Sequence, residues 1–161
     1  MVELLPTAVT DPMASQLLSD YFAERARDFP AASGPYRTPT PDPTAFVPPN
    51  GVFLVARDGS EALGCGGVRR IDDDADGAVR YEVKHLWVDP AGRGLGLGRR
   101  LLESLEESAI AFGATRIVLD TNASLIPAAG LYASSGYRPV PAYNDNPNAT
   151  NWYAKDVAQT G

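Results

Sequence analysis

The sequence predicts an α/β fold: a mixed, mostly antiparallel sheet flanked by helices. Three observations carry this. Two apolar runs, residues 52–57 and 62–71, are joined by Asp58-Gly59, a hairpin turn signal. A third strand-like run, 79–88, leads through a glycine-rich turn into a helical apolar stripe. A short apolar run, Arg116-Ile117-Val118-Leu119-Asp120, follows that helix. The order is an antiparallel meander followed by a strand–helix–strand crossover, and both belong to one sheet. At 161 residues, the chain is predicted to be a single domain over 1–161, large enough for a real core.

In chain order, residues 2–5 suit a short first strand. Asp11-Pro12 marks a helix start, with Asp as the cap and Pro in the first turn. Met13, Leu17, Leu18, Tyr21 and Phe22 share one face of that helix, which runs toward Phe29. Residues 30–49 are rich in Pro, Thr and Ser and form mostly loop, with a short helix near Pro43. A loop of this length inside a compact domain suits a flap over a substrate. After the hairpin, the strand at 79–88 shows a slipped phase. Its apolar positions fall at Val83, Leu86 and Val88, so a β-bulge near Lys84-His85 is expected. The helix over 96–112 has its stripe at Leu97, Leu101, Leu102, Leu105, Ala109 and Phe112, and Gly113 closes it. A short helix over 127–135 ends at Gly136, and strands at 137–140 and 152–157 complete the sheet.

Composition narrows the function. Hydrophobic residues make up 44% and charged residues 21%, ordinary for a globular domain. The net charge of −6 argues against nucleic acid as an obligatory partner, because duplex binding needs a basic footprint. Cys65 is the only cysteine, so no internal disulfide and no cysteine metal site is expected; it reads as a buried small residue. No signal pattern and no membrane-length apolar run is visible, so the expected compartment is the cytoplasm and no membrane partner is expected. The sequons at Asn122 and Asn148 are then chance matches. Asp72-Asp73-Asp74-Ala75-Asp76-Gly77 imitates the start of a calcium loop. Its twelfth position is Val83 rather than Glu, so a solvated hairpin tip is expected and no metal.

The most informative stretch is Val88-Asp89-Pro90-Ala91-Gly92-Arg93-Gly94-Leu95-Gly96-Leu97-Gly98-Arg99-Arg100. The helix behind it begins with arginines, although helix N-termini favour acidic residues. Glycine N–H groups beside arginines suit an anion such as a phosphate. A P-loop fails because no Lys-Ser or Lys-Thr pair follows. A dinucleotide fingerprint fails because Arg99 and Leu97 stand where its third glycine belongs. A tight turn without a ligand is the remaining alternative.

Arg93-Gly94-Leu95-Gly96-Leu97-Gly98 resembles the acetyl-CoA signature R-x-x-G-x-G of the GNAT superfamily of N-acetyltransferases. The likeness extends from about Val52 to the C-terminus and includes Leu131-Tyr132-Ala133-Ser134-Ser135-Gly136-Tyr137. It implies the GNAT fold with splayed central strands. It also implies acetyl-CoA as cosubstrate, bound by Arg93, Gly94, Leu95, Gly96, Leu97, Gly98 and Arg99, with Arg100 as an alternative to Arg99. Backbone groups of Leu86, Trp87 and Val88 would meet the pantetheine arm and the acetyl carbonyl. Many relatives have Asn seven residues before the tyrosine; this chain has Leu125 there, and Asn122 is the substitute. Tyr132 would be the general acid for the departing thiolate, the alternative being a packed aromatic. Glu82 would be the general base, directly or through water; the alternative is a structural carboxylate paired with Lys84 or Arg80. His85 reads as a surface or hydrogen-bonded residue. The implied reaction is direct acetyl transfer to a primary amine of a small molecule or peptide, without metal. The loop 29–49 and the segment 141–147 are the acceptor-side candidates. A homodimer is compatible with this, and a non-catalytic acyl-CoA-binding regulatory module stays open beside the enzyme.

Overall fold

The computed structural model describes residues 1–158, so the last three residues of the predicted 1–161 domain lie outside it. One sheet contains β1 (Glu3–Pro6), β2 (Gly51–Asp58), β3 (Glu61–Arg70), β4 (Arg80–Val88), β5 (Arg116–Thr121), β6 (Arg138–Val140) and β7 (Asn151–Asp156). Its order is β1-β2-β3-β4-β5-β7-β6, and only the β4–β5 pair is parallel. The helices are α1 (Pro12–Asp28), α2 (Leu97–Phe112) and α3 (Ile126–Ser134). None is long and apolar enough to cross a membrane. Boundaries differ from the sequence expectations by one residue at most element ends. The loop at 30–49 holds two single turns of 3-10 helix, Ala31–Ser33 and Pro43–Phe46.

The sheet is buried on both faces, which is why β2 is apolar without alternation. Val52, Leu54 and Ala56 face the cluster under α2, while Phe53 and Val55 face α1. Leu101, Leu102 and Leu105 of α2 are wholly buried, and each contributes about 1.5–3 kcal/mol. On the opposite face Ala14, Leu17 and Leu18 pack with Phe53, Cys65 and Trp87. Asp11 caps α1 by accepting from the Met13 amide at 2.9 Å, as its position before Pro12 predicts.

Two features of β4 open the sheet. Gly67 pairs with Lys84 and Cys65 with Trp87, so His85 and Leu86 together oppose Gly66. This is the bulge that the phase slip predicts, and His85 takes φ 59° to make it. Pairing of β4 with β5 then ends at Glu82 opposite Val118, although both strands continue. Beyond that point the strands splay and leave a wedge.

Candidate active site

The wedge is a cavity of about 660 Å³. Leu86, Trp87 and Val88 of β4 form one wall, and Arg93, Gly94, Gly96, Leu97, Gly98 and Arg99 form its rim. Tyr132 of α3 closes another side. Gly94 and Gly96 have φ 84° and 73°, in the left-handed region where a side chain is strained. A Cβ on either would meet nothing within 4 Å, so the conformation alone requires glycine. α2 starts with no side-chain cap and no acid in its first turn, leaving its positive end uncompensated at the cavity.

The arginines of this rim already have partners. Arg93 Nη2 donates to both Glu24 carboxylate oxygens at 2.9 Å, and its Nε to the Val88 carbonyl at 3.0 Å. Arg99 donates to the hydroxyls of Ser134 and Ser135 at 2.6 and 3.2 Å. Arg100 reaches the Val2 carbonyl at 3.2 Å and does not line the cavity.

Tyr132 is buried, and burial with the nearby Asp120 charge pushes its hydroxyl well above the usual tyrosine range. It therefore stays protonated. Its ring packs on Tyr137 and Tyr153, but no hydrogen bond among the described residues uses its hydroxyl.

Next to it stands a buried polar network. Glu82 is 1% exposed and lies off the cavity wall. Its Oε1 accepts from Arg69 Nε and Nη2 at 3.1 and 2.9 Å, and its Oε2 from the Tyr143 hydroxyl at 2.6 Å. Asp120 does line the cavity. It accepts from Asn144 Nδ2 at 2.7 Å and sits 3.5 Å from Lys84 Nζ, which is 4.0 Å from Glu82. Trp152 Nε1 holds Asn144 in turn, at 2.9 Å.

Residues 15–137 match the model of the Acetyltransferase (GNAT) family. The chain belongs to that family. It is 32% identical to the N-alpha-acetyltransferase RimI of Mycobacterium tuberculosis over 83% of this chain and 84% of that one. It is 40% identical to an uncharacterized N-acetyltransferase of Schizosaccharomyces pombe over 63% of this chain; the match spans only 61% of the yeast protein's length. A GNAT-family acetyltransferase structure from Staphylococcus aureus shares the fold, with TM-score 0.75 over 98% of this chain and 100% of that one, at 15% identity. Each of these proteins is named as an acetyltransferase.

Set in the GNAT fold, three sequence-predicted residues stand apart from the cavity wall. Leu95 is 62% exposed and does not line it. Asn122 is buried, with its amide spent on Ser33 Oγ, the Asn148 carbonyl and the Ser124 amide. It ties the loop 29–49 to the end of β5 and to the turn before β7. Glu82 is the third, and its strongest partner is Arg69 rather than Lys84 or Arg80. The register explains this: Arg69 lies directly opposite Glu82 across β3–β4, while Arg80 turns to the Asp72 carbonyl. His85 is not a surface residue either. The bulge turns it among Tyr21, Phe22 and Phe46, and burial pushes its imidazole down to about 3. Asp120, Lys84 and Arg25 are cavity residues that sequence reasoning passed over. For Asp120 the signal was its place at the end of β5, beside the crossover.

Proposed function

We propose that this chain transfers the acetyl group of acetyl-CoA to a primary amine of a small molecule or peptide within one ternary complex. The observation that carries this is the single wedge that joins an uncapped, glycine-led helix N-terminus to the protonated, unpartnered Tyr132 hydroxyl. Acetyl-CoA supplies the activated acyl group. The backbone N–H groups of 94–98 and Arg99 suit its pyrophosphate. Arg93 joins them on exchanging Glu24 for phosphate. The stretch of β4 from Leu86 to Val88, paired with β3 but no longer with β5, offers backbone donors along the pantetheine and at the oxyanion.

The amine nitrogen forms a bond to the acetyl carbon and the C–S bond breaks. Tyr132 gives its proton to the departing sulfur. The amine proton passes to the carboxylate cluster. Asp120 is its member on the cavity wall, and Glu82 acts behind it by holding Lys84 and Tyr143. The test is a panel of ligand-induced melting shifts followed by thiol release across an amine library. Acetyl-CoA is expected to raise Tm where NAD does not, and at least one amine to turn over. Tight CoA binding with no turnover by any amine would overturn the enzyme reading in favour of a sensing module.

A further inference from the structure

One end of the cavity holds a cation with no ion-pair partner among the described residues. Arg25 lies on the buried face of α1 that carries Ala14 and Leu18, a position where an apolar residue belongs. It is 8% exposed and lines the cavity. Its Nη1 is buried with no hydrogen-bond partner. Arg27 and Arg93 pair with Asp28 and Glu24, whereas Arg25 stands in no ion pair among the described residues. Two rings flank it instead, with Cζ 5.7 Å from the Phe29 centroid and 5.6 Å from that of Tyr36. Ring faces attract the charge but leave its in-plane N–H donors unmet. A buried charge of this kind is costly to keep, and a carboxylate is the group that matches its donor fork.

The surroundings point the same way. Tyr36 comes from the loop that covers this end, and that loop is clamped by Asn148, which bonds both the amide and the carbonyl of Arg37 at 3.0 and 2.6 Å. The covered end suits a small molecule. Asp120 on the same cavity wall supplies a site for the ammonium group.

We propose that Arg25 binds a carboxylate of the acceptor, so that the substrate class is a small amine that also carries a carboxylate group. This rests on the acetyl-transfer reading above. The test compares glycine, β-alanine, 4-aminobutyrate and L-phenylalanine with their amides in thiol release from acetyl-CoA. At least one acid is expected to exceed its amide in kcat/KM by about tenfold or more, the worth of a charge-assisted hydrogen bond. In Arg25→Met that ratio falls to about twofold or less, mainly through KM, and Arg25→Lys retains part of it. Equal rates for acids and amides in the wild type, or a preference that survives Arg25→Met, overturn the proposal.

Two readouts separate other failures. Arg25→Met is expected to melt no lower than the wild type, since it removes an unpaired buried charge. A large fall in Tm with the preference retained marks a structural arginine and overturns the proposal. If no amine turns over, transfer itself fails. A melting shift by 4-aminobutyrate in the CoA-loaded protein that Arg25→Met abolishes then still supports the carboxylate site, and its absence overturns it.

Discussion

Tyr132 and His85 are both buried titratable residues on the cavity wall, and burial acts on them in opposite senses. For Tyr132 it raises the hydroxyl above its ordinary 10.0 and preserves the acid. Tyr132→Phe is expected to lower kcat by about 10²–10⁴-fold while the CoA Kd stays the same. In the wild type, kcat should not fall as pH passes 10, because the hydroxyl is still protonated there; a basic limb near 10 would count against its role. For His85 burial lowers the imidazole to about 3, with the Lys84 and Arg69 charges adding to it. The unfolded chain binds a proton near 6.5 and the folded one does not. His85 therefore contributes stability that is full above pH 6.5 and is lost as pH falls toward 3, at about 1.4 kcal/mol per pH unit. His85→Asn keeps a residue tolerant of φ 59° and removes the titration. Its stability between pH 7 and 4.5 should fall less steeply than that of the wild type, as denaturant melts would read.

At the scale of elements, the turn before α2 and the slipped strand before the turn were legible in the sequence because each breaks a local period. Glycine at alternate positions has few uses, and a strand of period two cannot place Val83, Leu86 and Val88 on one face without a bulge. What was not legible depends on pairing across strands. That Arg69 faces Glu82 follows only from the β3–β4 register, and that Asp120 rather than Glu82 meets the cavity follows from where β4–β5 pairing stops. Arg93 looked free because Glu24 is far away in the chain and near only in the fold. The turn itself can be tested by separating space from conformation. Gly96 has room for a side chain but sits at φ 73°. Gly96→Ala should cost about 1–2 kcal/mol and weaken CoA binding, while Gly96→Asn, better suited to that region, should recover part of both losses. Equal effects of Ala and Asn in calorimetry would mean that bulk at the rim, not backbone geometry, decides.

Across the whole molecule, the cavity is assembled from segments that meet only in the fold. The glycine turn and β4 supply one end, while α1, the loop at 30–49 and the turn before β7 supply the other. Asn148 joins the last two, since its side chain bonds both polar groups of the Arg37 backbone. Its backbone carbonyl also takes the Asn122 amide at 3.2 Å, which the side chain of residue 148 does not affect. Asn148→Ala should therefore loosen the loop at Arg37 while leaving the Asn122 bond to the backbone carbonyl of residue 148 in place. Leaving the Arg37 amide and carbonyl without these partners should cost about 1–3 kcal/mol. The glycine turn and α2 are untouched, so CoA affinity by calorimetry should be unchanged. Tyr36, which rides on the same loop as Arg37 and flanks Arg25, loses its fixed place, so KM for the acceptor should rise with little change in CoA Kd. A parallel loss of CoA affinity would show instead that the two ends of the cavity are one cooperative unit, with the loop supporting the turn through Arg93 and α1.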